Sequence, residues 1–316
     1  MNETSQGARS PLTSLVAWCI VFGLIALAII IGNAVAIAVL TRKKLLRKRT
    51  SYFLISLAVA DMTVGIFSVP SFIYQLVCFW QERLFAPSII LNIVKTVDVL
   101  CGLASTFTLT IIALERVYAI CLPLRHRTST RRLYDLSIST VWILAGLLSS
   151  LYFFHVYRLI QHKIFFWFLI LTFFSSMLVM LLAYLAIWIK ASGPIVSARE
   201  ASLEYSDSSS DKQRTSFTSQ YGKERSRRAA ENDRKLAVTV FIVTTVFILT
   251  WLPFHIINLI VFLECKAFPC SAQPSTNVIY FCKLLHYSNS LLNPVIYSLR
   301  LKDFRSTLKV IISSKI

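Results

Sequence analysis

The sequence predicts an all-α protein, a bundle of seven membrane-spanning helices followed by a C-terminal amphipathic helix. Three observations carry this reading. Of 316 residues, 56% are hydrophobic and only 15% charged, with a mean hydropathy of +0.65, an apolar excess that a soluble domain of this length does not need. The apolar residues fall in long uncharged runs of the length a membrane helix requires, ~20 residues. The basic residues sit in short clusters beside those runs, as cytoplasmic loops do. That distribution also disposes of the net charge of +18 as a nucleic-acid surface.

Residues 1–13 form a polar tail with a glycosylation sequon at Asn2-Glu3-Thr4, read as extracellular. The run from Ser14 to Leu40 is too long for a signal-peptide core and has no clear cleavage site, so it is the first span. It ends against Arg42, Lys43, Lys44, Arg47, Lys48 and Arg49, six positive charges in eight residues, which mark that end as cytoplasmic. Span two covers 52–78, with Asp61 in its inner half, Pro70 as a kink, and Trp80 in the short outer loop that follows. Span three covers 88–121 and stops before Pro123; Arg125, Arg127, Arg131 and Arg132 then mark a second cytoplasmic loop. Span four covers 136–155, with Trp142 inside it, and returns through a short outer loop from His155 to Lys163.

Span five covers 164–189. Residues 190–235 are rich in Ser, Arg and acids, a cytoplasmic loop with a disordered centre whose flanks extend spans five and six. Span six covers 236–263 and leads into ECKAFPC, where Cys265 and Cys270 suit a local disulfide in an oxidising compartment. Cys78 is a third outward thiol, so the pairing stays open. Span seven covers 277–299. Residues 301–316 hold a short tail and the helix LKDFRSTLKVII, with Leu301, Phe304 and Leu308 on one face, suited to the inner membrane surface. The membrane-spanning body is therefore 14–300. No internal repeat supports an inverted-repeat transporter.

Span three is the element the others are arranged around. Asp98 and Arg116 are eighteen residues apart, five helical turns, so both point the same way, ~27 Å apart along the axis. Ser105 lies on the same stripe. Charges at membrane depth cost roughly 2.5–3.5 kcal/mol each and normally face a bundle interior where they are used. One helix face thus carries a charge near each membrane surface, an arrangement suited to sensing on one side and responding on the other.

Taken together, Gly32-Asn33, the LAVAD ending in Asp61, Glu115-Arg116-Val117-Tyr118, Trp142, Trp251-Leu252-Pro253-Phe254 and Asn293-Pro294-Val295-Ile296-Tyr297 resemble the rhodopsin-like family of G-protein-coupled receptors. The resemblance covers residues 14–310 and follows the family's order. It implies a receptor, not an enzyme, at the plasma membrane, activating a heterotrimeric G protein by promoting GDP release from Gα. Arrestin and a receptor kinase are implied as further partners, with Ser206, Ser208, Ser209 and Ser210 as phosphorylation sites or plain linker. It implies a switch in which Arg116 is restrained by Glu115 and by Asp233 at the start of span six. Tyr118 completes the motif, and Phe247, Trp251, Pro253 and Pro294 transmit a packing change. Tyr184 and Tyr297 stabilise the active form around Arg116. Asp61, Ser105, Trp251, Asn289, Ser290 and Asn293 match the family's sodium pocket, so Na+ is expected there; a water-filled polar network is the alternative.

For the ligand, Asp98 stands where amine receptors hold an ammonium, Tyr287 where a tyrosine steadies that acid, and Phe254 and His255 line the same cavity. Lys283 lies one turn outward of Tyr287 and can pair with Asp98 or take an acidic ligand itself. Small amine, peptide and lipid all remain open, as does an atypical receptor that does not couple. Three departures resemble the melanocortin, cannabinoid and lysophospholipid branch. The cysteine expected near Leu91 is absent, Ser176-Met177 replace a proline in span five, and the second outer loop is short. The acidic calcium cluster of melanocortin receptors is missing around Leu91 and Lys95. Retinal binding needs a lysine where Tyr287 stands. His126, His155, His162 and His286 have no metal-ligand spacing.

Overall fold

The computed structural model describes residues 12–46, 50–81, 89–192, 238–239, 241–260, 262 and 275–313. Asn2, Asp233, Cys265, Cys270, the four loop serines and the basic triplet 47–49 lie outside the described residues. Span one is Leu12–Leu40, followed by one helical turn, Lys43–Leu46. Span two is Thr50–Trp80, so Trp80 closes the helix instead of standing in the loop. Its middle is a π-helical segment, Val64–Ser68. The distortion expected at Pro70 thus falls in the preceding turn. Pro70 offers no N–H to the carbonyl of Ile66, and the turn is free to widen. Widening brings the backbone onto span one, where a Cβ on Gly65 would lie 3.0 Å from Ile29.

Span three is Ile89–Cys121, and Pro123 opens a short helix, Pro123–Thr128. Span four, Arg131–Val156, begins five residues before the expected start at 136. It ends in a left-handed cap in which Arg158 has φ 58° and the Leu159 N–H reaches back 2.8 Å to the Phe154 carbonyl. That cap is why the outer return is so short. Span five is His162–Ser192, span six Phe241–Ile260 and span seven Thr276–Arg300; the final helix is Lys302–Ser313.

By length and hydropathy, six helices among the described residues can cross a bilayer, and span seven is not one of them. The reason is that Lys283, Asn289, Ser290 and Asn293 on span seven are buried in the bundle, where polar groups in a membrane protein are placed for use. Opposite faces are apolar and turned outward: Leu24 is 63% exposed, Ile31 62% and Leu171 64%. These faces suit acyl chains, while the backbone is satisfied within each helix.

Span three packs against spans two, four and five, and span one against spans two and seven. An outer core of Phe22, Val69, Ala104, Ala145 and Tyr287 is separate from an inner core of Leu57, Ile112, Tyr184, Phe247 and Phe304. Two side-chain tethers fix the spans' relative positions. Asn33 Nδ2 donates to the Ser290 carbonyl at 2.9 Å, and Trp142 Nε1 donates to Ser56 Oγ at 2.9 Å. Phe304 is 1% exposed and packs beside Tyr297, docking the final helix on the inner end of the bundle.

Candidate functional site

Toward the outer end, spans three, five, six and seven enclose a cavity of about 660 Å³, within the range of small-molecule sites. Asp98, Phe254, His255 and Lys283 line it together with Thr106, Lys163, Phe173 and His286. Asp98 is not free: Lys283 Nζ lies 3.7 Å from its Oδ2. Tyr287 corrects an expectation. It is fully buried behind the wall against Phe22 and Phe72, and its hydroxyl donates to the Ser68 carbonyl at 3.5 Å, not to Asp98.

The cavity floor is a stack of rings. Trp251 lies 4.2 Å from His286, 5.9 Å from Phe173 and 4.9 Å from the fully buried Phe247 beneath it. Gly102 on span three makes room for the indole, since a Cβ there would sit 2.9 Å from its Cη2. The Trp251 Nε1 is buried without a hydrogen-bond partner.

Below the floor lies Asp61, with no exposure to solvent. Its Oδ1 accepts from Ser290 at 2.9 Å and from Ser105 at 3.4 Å, and its Oδ2 from Asn293 at 2.7 Å. Three of the five other expected sodium-pocket residues therefore converge on the carboxylate. Asn289 is buried nearby on span seven and Trp251 sits above, but neither bonds to Asp61. The partners are all neutral, so an ionised Asp61 has no compensating cation among them. Two hydroxyl oxygens beside a carboxylate form a hard-oxygen set that fits Na+.

At the inner end, Arg116 is 2% exposed and pairs with Glu115. Its guanidinium also donates to Thr50 Oγ1 on span two at 2.8 Å. Glu115 is held in turn by His126 Nε2 at 2.8 Å and the Tyr134 hydroxyl at 3.4 Å, while the Tyr118 ring packs edge-on against His126. Thr50, His126 and Tyr134 escaped the sequence reading. Their only signal was position at helix ends near Glu115, which loop geometry alone turns into contact. Tyr184 and Tyr297, expected around Arg116 in the active form, do not bond to it while Arg116 is held by Glu115. Tyr184 shares a hydrogen bond with Thr244 on span six at 3.1 Å, and the Tyr297 hydroxyl is buried without a partner. Pro253 and Pro294 lie within the helices of spans six and seven, and Pro294 packs against Gly32 of span one.

The family model for the seven-transmembrane receptors of the rhodopsin family matches residues 32–297, most of the chain. The protein belongs to that family. Its relatives include the D(1B) dopamine receptor of Xenopus laevis, 27% identical over 96% of this chain and 72% of the relative. The human adenosine receptor A2b is 27% identical over 89% of this chain and 85% of the relative. A probable G-protein-coupled receptor, No18, of Amphibalanus amphitrite is 27% identical over 89% and 86%. This receptor is thus a multi-pass membrane protein and not an enzyme. Within it the outer cavity, the Asp61 layer and the Arg116 lock are stacked along span three, one above another.

Proposed function

We propose that this receptor, in the plasma membrane with its N-terminal side outside, binds an extracellular ligand in the outer cavity. It answers by activating a heterotrimeric G protein through GDP release from Gα. The observation that carries the reading is the state of Arg116. Buried between Glu115 and Thr50, it is a charge held out of reach at the inner end of the helix whose outer end lines the cavity. A ligand that favours a second arrangement of spans three and six would release it. Na+ on Asp61, Ser105 and Ser290 would compensate the buried carboxylate and favour the resting arrangement. Asp233 is assigned to the resting restraint on Arg116 and Tyr184 and Tyr297 to the active state; a small amine on Asp98 is one ligand reading, favoured by similarity to dopamine receptors.

The test needs no known ligand. Glu115→Gln removes the carboxylate restraining Arg116 and should raise ligand-independent nucleotide exchange by a panel of purified Gα subunits severalfold. Adding Arg116→Ala in that background should return exchange to the receptor-free level. No rise with any Gα, or a rise that survives Arg116→Ala, would refute the coupling role.

A further inference from the structure

The outer cavity already contains a cation. The Lys283 side chain is 11% exposed, its ammonium 3.7 Å from Asp98, and it lies over the rings of Phe254 at 4.5 Å, Tyr287 at 4.6 Å and Phe72 at 5.9 Å. Aromatic faces around an ammonium beside an acid are the cage an amine would seek, and here the chain supplies its own amine. Lys163 is a second lysine on the wall, and Lys95 stands one turn outward of Asp98 on span three. Among the described residues of the wall, one acid faces two lysines.

We propose that the ligand is a small carboxylate on an aromatic body, its negative group received by Lys283 and Lys163. This rests on the reading of the cavity as the ligand site, though not on G-protein coupling. Charge decides between the two ligand classes. An incoming ammonium would have to take the partly exposed Asp98 from Lys283 and leave that mostly buried lysine beside a second cation with no acid, an unfavourable exchange. An incoming carboxylate brings the wall to neutrality and needs no pair broken, because the Lys283 ammonium has donors beyond the one directed at Asp98. The aromatic body follows from the walls: Phe166 and Phe262 stack at 4.1 Å on one side and Phe173 and His255 at 4.1 Å on the other. Flat apolar groups extend such stacks at little cost in ordering.

The experiment reads binding with no G protein present. Purified receptor in nanodiscs is melted with a matched pair of series, arylalkyl carboxylates (3-phenylpropionate, indole-3-acetate) and arylalkylamines (phenethylamine, tryptamine). At least one carboxylate should raise the melting temperature, with Kd weakened about tenfold or more by Lys283→Met and preserved by Lys283→Arg, as for a charge-assisted contact. Lys163→Ala, at the more exposed end of the wall, should weaken it without loss of folding. Amines that stabilise the wild type and lose their effect in Asp98→Asn would overturn the proposal, as would a carboxylate series that produces no shift. Carboxylate binding without any Gα activation would leave the ligand class standing and remove the coupling role. Exchange by Glu115→Gln with no carboxylate binding would do the reverse.

Discussion

At Gly102, the space of one hydrogen separates a regular helix from a displaced indole. A methyl group there would stand 2.9 Å from Cη2 of Trp251, closer than carbon atoms pack, so the ring must tilt off its stack on Phe247 and Phe173. If this stack holds the resting position of span six, Gly102→Ala should raise ligand-independent exchange at least twofold and lower the melting temperature. Exchange at or below the wild-type level would uncouple Trp251 from the switch. The same scale explains why Glu115 needs so many partners. An acid with a side chain only 8% exposed is tolerated because Arg116, His126 and Tyr134 all direct polar atoms at it.

Between elements, the membrane removes the solvent contrast that normally sorts apolar from polar, so a few hydrogen bonds and small residues fix how helices meet. Span four meets span two through Trp142 Nε1 and Ser56 Oγ at 2.9 Å. Ser56→Ala leaves that indole N–H without its acceptor at a cost of about 1–3 kcal/mol, so the melting temperature should fall, and Ser56→Thr should restore most of it. An unchanged melting temperature for Ser56→Ala would mean the tether adds nothing to the docking of span four. The π-helical turn of span two acts differently, by shape. It lets Gly65 approach span one closely enough that Ile29 and Ile30 fill its place.

Across the molecule, the polar layer around Asp61 joins spans two, three and seven between two apolar cores. Because its partners there are neutral, the carboxylate is the point at which a cation should act on the whole bundle. The melting temperature of the wild type should therefore rise when N-methylglucamine is replaced by Na+ at constant ionic strength. Asp61→Asn should melt at the same temperature in both. An equal rise in wild type and variant would place the sodium effect elsewhere.

The sequence by itself determined the number and order of the spans, because hydropathy is a one-dimensional signal. It also determined the family, because the motifs lie at fixed places along that order. It located Asp61 and Arg116 for the same reason: a charge in an apolar run stands out without any coordinates. Partners could not be read in this way. Whether Asp98 is free or paired depends on span seven's rotation, which sets Lys283 3.7 Å away and turns Tyr287 to the Ser68 carbonyl. Thr50, His126 and Tyr134 became part of the Arg116 lock only when the inner ends of spans two, three and four converged. Hydropathy is a property of each residue and survives in the string of letters. Contact is a property of pairs that the chain separates by up to hundreds of residues, and only packing decides it.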